Sequence, residues 1–134
     1  MMKVTGQCHC GAIRYEGEVD PARVNACHCT DCQRLSGSAY RLSVGAPAAS
    51  FRLLAGTPTI YVKTAENGNK RAHAFCAACG GPVYSAAIKD PVMYSLRVGA
   101  LDQRAQLRPS KQIWCRSALP WAMNLEDVPK VEKQ

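Results

Sequence analysis

The stretch Cys76-Ala77-Ala78-Cys79-Gly80-Gly81 decides the reading of the fold. A C-x-x-C pair offers two sulfurs to one ion through a tight turn, and a following glycine supplies the positive φ by which the chain leaves it. Two sulfurs do not complete a tetrahedral site, so the partners of Cys76 and Cys79 must lie elsewhere in the chain. Two further clusters can supply them: Cys8-His9-Cys10-Gly11 and Cys27-His28-Cys29-Thr30-Asp31-Cys32. In an extended segment, residues i and i+2 share a face, so each C-x-C pair presents both sulfurs together. The same rule turns His9 and His28 away from the ion.

Seven of the eight cysteines therefore sit in metal-ligand spacing. Joining Cys8 and Cys10 to Cys76 and Cys79 gives a closed four-thiolate site and leaves Cys27, Cys29 and Cys32 as a set of three. Four protein ligands mark a structural zinc, whereas three and a vacancy mark a catalytic one. The competing division fills the fourth position of the triplet with Cys115, His28 or His73, which makes both ions structural. Against Cys115, the run Gln112-Ile113-Trp114-Cys115 reads as an apolar strand in which a lone cysteine is expected in the core. His73 has no ligand spacing of its own, and Asp31 reads as an outer or surface carboxylate. Thiolate sets accept iron as well as zinc.

The composition suits a globular chain. It has 134 residues, of which 47% are hydrophobic and 20% charged, enough for one modest core, and residues 1–128 are expected to form one domain ahead of a polar tail, 129–134. Eight cysteines without a signal-like start point to thiols held by metal in a reducing compartment, so a cytoplasmic location is the default, and no apolar run is long enough to cross a membrane. The formal charge of +7 falls to about +4 once seven deprotonated thiols hold two divalent ions. Lys70-Arg71 is the one adjacent basic pair, and no aromatic-plus-basic stripe accompanies it. That dispersal argues against a nucleic-acid partner.

Short alternating or β-branched stretches at 12–16, 59–63 and 93–98 read as strands. Dense turn signals separate them, at 45–47, 56–58, 67–69, 80–82 and 90–91, which favours antiparallel β structure. Helix is expected only after Cys29, where Thr30 and Gln33 fit a capping box and Ser36-Gly37 a stop. The five tyrosines, Trp114 and Trp121 read as core or rim residues. Arg34, directly after the triplet, reads as an exposed side chain before it reads as an anion contact.

The ordered motifs Cys8-His9-Cys10-Gly11-Ala12-Ile13-Arg14-Tyr15, Cys27 through Gly37, and Phe75-Cys76-Ala77-Ala78-Cys79-Gly80 resemble the glutathione-dependent formaldehyde-activating family, which shares its zinc-binding domain with centromere protein V. A weaker match follows in Val98-Gly99-Ala100-Leu101-Asp102, Arg108-Pro109 and Trp121. The resemblance implies an all-β, zinc-stabilised β-tent of small antiparallel sheets. It implies two zinc ions: a structural one on Cys8, Cys10, Cys76 and Cys79, and a catalytic one on Cys27, Cys29 and Cys32. It also implies a carbon–sulfur lyase of the S-(hydroxymethyl)glutathione synthase type, with glutathione or another small thiol as partner. Two positions depart from the pattern, Gly81 where Thr or Ser is frequent and Gln112 where His is frequent. The alternative from another class is a binding module in which both zinc ions are scaffolding.

Overall fold

The computed structural model describes residues 1–134, about 40% of them in strands, with one short α-helix. A three-stranded sheet has the order β1 (Met2–Gln7), β2 (Arg14–Val19), β5 (Arg52–Ala55). A seven-stranded sheet runs β10 (Lys111–Ile113), β3 (Val24–Cys27), β4 (Arg41–Pro47), β9 (Met93–Arg97), β8 (Pro82–Ala87), β7 (Lys70–Phe75), β6 (Thr59–Thr64). Every pairing is antiparallel except β3 with β10, which is parallel and sets Gln112 beside Ala26. The single helix, α1, spans Thr30–Ser36.

Strand alternation sorts the side chains into two kinds of face. Val4, Tyr15 and Val19 of the small sheet meet Val24, Val44, Ala46, Ala74, Val83 and Leu96 of the large one in a single core cluster. Full burial of a side chain of the Val, Leu or Ile kind contributes about 1.5–3 kcal/mol, so this interface supplies the main stabilising term. Gly6 and Tyr15 face each other across β1 and β2, and a Cβ on Gly6 would lie 2.5 Å from the Tyr15 ring. The absent side chain is what lets the ring lie flat over β1. On the opposite face of the large sheet, the intervening positions are polar: Cys27, Arg41, Ser43, Ser95, Arg97 and His73. α1 stands over this polar face, with Asp31 bonded to Lys63 of β6 at 2.8 Å.

The expected strands at 59–63 and 93–98 form as β6 and β9, but the first expected strand begins only at Arg14, because Ala12 and Ile13 belong to the preceding turn. Gly45 does not mark a turn. It lies inside β4 with the Met93 side chain folded over it, a Cβ there being 3.0 Å from the Met93 sulfur, and Pro47 ends the strand.

Candidate metal centres

The four-thiol group is assembled by two tight turns pressed together. One joins β1 to β2: Cys8 N–H donates to Ile13 O at 3.1 Å, Gly11 N–H to Cys8 O at 3.1 Å, and Ile13 N–H to Cys8 Sγ at 3.3 Å. Cys8 and Cys10 thus converge through a turn, not through the extended alternation read from the sequence. The other turn joins β7 to β8: Gly80 N–H donates to Cys76 O at 2.7 Å and Gly81 N–H to Cys79 Sγ at 3.4 Å. The four sulfurs lie within 4.8 Å of one another. Cys8 and Cys10 are 3.7 Å apart and Cys10 and Cys76 3.8 Å, against about 3.8 Å for the edge of a tetrahedron with metal–sulfur bonds of about 2.3 Å.

Gly81 is where the two turns touch. A Cβ there would sit 3.1 Å from His9 N and 3.3 Å from both Cys79 Sγ and Cys8 Cβ, so the departure from the family pattern is accommodated by a close backbone approach. The backbone donors also prepare thiolates. N–H groups of Cys10 and Gly81 lower the Cys79 thiol to about 6. Burial pushes the Cys8 thiol up, but the Ile13 N–H and the neighbouring sulfurs of Cys10 and Cys76 outweigh it, and the net shift is downward. Cys10 rises to about 11: the Ala12 N–H lowers it, and the sulfurs of Cys8 and Cys76 more than offset that. Thiols this close cannot all ionise without a cation among them, which is the behaviour expected of a metal ligand set.

Cys27, Cys29 and Cys32 form the second group, their sulfurs also within 4.8 Å of one another. Cys27 closes β3, and Cys29, in extended conformation, shares its side while the buried His28 between them points the other way. Cys29 is itself the N-cap of α1: its sulfur accepts the Cys32 N–H at 3.2 Å. The anticipated Thr30–Gln33 capping box does not form, because the Gln33 amide donates instead to His28 O at 2.9 Å and Ser117 O at 3.0 Å. Gly37 ends the helix in the left-handed conformation. Burial raises the Cys32 thiol to about 12, with Cys29 next to it adding to the rise. For Cys29, burial is outweighed by hydrogen bonds from Cys32, and its thiol is lowered.

None of the side chains considered for a fourth ligand joins this group. His28 is fully buried, with Nε2 2.9 Å from Gln112 Oε1 and its ring packed on Tyr40. Gln112, the second departure, is thus a direct partner of the triplet's histidine. His73 Nδ1 lies 3.5 Å from the Arg97 guanidinium, and Asp31 is held by Lys63. Cys115 is exposed and not in a core strand: Trp114 takes φ 56°, the strand stops at Ile113, and Cys115 starts a 3-10 turn. Arg34, Trp114 and Trp121 are exposed, whereas Tyr15 is fully buried with no partner for its hydroxyl.

A cleft of about 810 Å³ opens beside α1, lined in part by Leu35, Tyr40, Arg41, Gly81 and Arg97. A smaller pocket of about 320 Å³ continues from it between α1 and β7, past His73, Phe75 and Tyr84. Sequence reasoning missed Arg41 and Arg97. The signal was present in the alternations Arg41-Leu42-Ser43-Val44 and Ser95-Leu96-Arg97, which place both arginines on the polar face of central strands.

A crystal structure of a Rhodobacter sphaeroides protein, a structural genomics target, superposes with a TM-score of 0.62 at 23% identity, covering 81% of this chain and 98% of that one. It shares the fold. The family model described as "Glutathione-dependent formaldehyde-activating enzyme" matches residues 3–117, a span holding both thiol groups, the helix and the cleft. With that match extending over most of its length, the chain belongs to the glutathione-dependent formaldehyde-activating family.

Proposed function

We propose that the chain is a zinc-dependent, carbon–sulfur lyase-like enzyme acting on a small thiol adduct, with formation or cleavage of S-(hydroxymethyl)glutathione as the type reaction. One observation carries the reading: three thiols converge at the start of α1, whose Leu35 and Ser36 line an open cleft, and none of Cys115, His28, His73 and Asp31 is gathered with them. In this reading Cys8, Cys10, Cys76 and Cys79 hold a structural zinc, and Cys27, Cys29 and Cys32 hold a second ion. A divalent zinc with an open position lowers the pKa of a bound thiol and presents its sulfur as thiolate near neutral pH.

The chain's own residues supply placement. Gln33 ties the start of α1 to the end of β3, so that Cys29 and Cys32 keep a fixed distance from Cys27. Leu35 and Tyr40 line the cleft beside α1. In the forward direction the thiol sulfur forms a bond to the formaldehyde carbon, the carbonyl π bond breaks, and the proton lost by sulfur ends on the new hydroxyl oxygen. The reverse direction breaks the same carbon–sulfur bond.

The test is exchange spectroscopy of glutathione and formaldehyde with the zinc-loaded protein. Adduct formation is expected to be faster than the spontaneous reaction and to return to the spontaneous rate in Cys29→Ser, with one zinc still bound. Equal rates for the two proteins and buffer alone refute the enzyme reading and leave the two-scaffold module.

A further inference from the structure

Arg97 is a buried guanidinium without a counter-charge. Only 5% of its surface is exposed, it sits in the middle of the seven-stranded sheet, and it lines both the cleft and the pocket behind it. Its recorded partners are neutral: Ser43 Oγ at 2.9 Å, Ser95 Oγ at 3.5 Å and His73 Nδ1 at 3.5 Å. Neither of the two ion pairs in the structure involves it; they join Arg52 to Glu16 and Lys63 to Asp31. The hydroxyls satisfy hydrogen-bond geometry, yet they leave the positive charge uncompensated in a low-dielectric site, where isolated charges are costly.

The neighbourhood makes the imbalance larger. Arg41 also lines both cavities, and Arg71 lies close by, its guanidinium reaching Ser85 Oγ at 3.4 Å. Burial, then Arg41 and Arg71, pull the Arg97 guanidinium down to about 9, still protonated at neutral pH. Burial, then Arg97, Arg41, Lys63 and Arg71, depress His73 to about 4, so it stays neutral and accepts from Arg97. Cys32 and, less strongly, Tyr15 are the groups that favour the charge. A metal-loaded triplet carries a net charge of about −1, which leaves three arginines under-compensated by about two charges. The pocket walls beside them, Leu35, Phe75, Pro82 and Tyr84, are apolar or aromatic, so an anion entering there is shielded from water.

We propose that Arg97, assisted by Arg41, is a carboxylate-binding site, so that the substrate is a thiol bearing a carboxylate whose anionic end docks in the pocket behind α1 while its sulfur reaches the triplet. The part of this concerning sulfur rests on the function proposed above; the anion site does not. A planar guanidinium donates two parallel N–H bonds to a carboxylate, and the 320 Å³ pocket holds such a group with a short chain. The two hydroxyls orient the guanidinium in advance, so little ordering remains to be done on binding.

The test is calorimetric titration of the zinc-loaded full chain with ω-mercapto carboxylates of two to six carbons and the matching ω-mercapto alcohols. At the chain length that spans sulfur and anion sites, the carboxylate is expected to bind about tenfold or more tightly than the alcohol. In Arg97→Gln that ratio falls towards one. Propionate, which has no sulfur, is expected to bind the wild type and to lose binding in Arg97→Gln. This arm separates the two readings: alcohols that never bind while propionate binds through Arg97 refute the thiol reading alone. Should Arg97→Gln fail to fold, Arg41→Gln, half-exposed at the cleft, carries the test and should lower the ratio severalfold. The proposal is overturned if no length prefers the carboxylate by more than twofold, if propionate binding is unchanged in the folded variants, or if inorganic phosphate binds at the same site more tightly than any carboxylate.

Discussion

Replacing the ligands of each thiol group in pairs should expose a hierarchy set by chain topology. The four-thiol group joins residues far apart in sequence, with Cys10 and Cys76 separated by 66 positions. The triplet spans only Cys27 to Cys32. On the proposed assignment an ion in either group stabilises the folded state, but closing the longer loop also restricts the unfolded chain more. The difference, (3/2)RT times the logarithm of the ratio of spans, is about 2 kcal/mol. For a chain of 134 residues the unfolding entropy is about 0.28 kcal/mol per kelvin, so the difference corresponds to about 7 °C in Tm. Cys76→Ser/Cys79→Ser should therefore melt at least about 7 °C below Cys27→Ser/Cys29→Ser. The fourth ligand and the loss of core packing by the buried Cys76 widen the gap. Scanning calorimetry, with zinc counted by elemental analysis, makes the measurement, and each variant should retain one ion. If the triplet variant melts as low as the other or lower, the argument from loop closure is wrong and the triplet holds the fold together.

Two other perturbations address particular contacts. Gly6→Ala should destabilise by about 1–3 kcal/mol in denaturant titrations, because its Cβ would meet the fully buried Tyr15 ring at 2.5 Å; a variant as stable as wild type would mean that the ring moves freely. Gln33→Ala removes the bonds to His28 O and Ser117 O, and about 1–2 kcal/mol of stability and much of the triplet's affinity for zinc should go with them, read by melting and by competition with a chromophoric chelator.

The ligand sets were legible in the sequence because C-x-C and C-x-x-C spacings mark the sulfurs locally, and counting four and three ligands, with the family resemblance, joined Cys8 and Cys10 to Cys76 and Cys79 across 66 positions. What was not legible depends on non-local pairing. Arg97 is recognisable as buried only once β9 is known to lie between β4 and β8. Gln112 meets His28 because β10 runs parallel to β3, a pairing across 84 positions that no local pattern announces. Cys115 was misread because the left-handed turn at Trp114 stops the strand two residues early. The capping box failed for a similar reason: Gln33 has two carbonyl acceptors within reach, one of them on a segment 84 positions away, and these outweigh the local bond.

The interleaving of the two thiol groups along the chain bears on how metal is acquired during synthesis. Cys8, Cys10, Cys27, Cys29 and Cys32 all leave the ribosome before Cys76 exists. At about 5–20 residues per second, the wait between Cys32 and Cys76 lasts a few seconds. Throughout that interval five thiols are present without Cys76 and Cys79, so a captured ion can be held by the wrong four, bridging the β1–β2 turn to the end of β3. Correct loading then requires ligand exchange once the β7–β8 turn appears. The hairpin geometry favours the exchange, since Cys79 arrives with the Gly81 amide already aimed at its sulfur, whereas the mispaired set leaves α1 without its capping thiol.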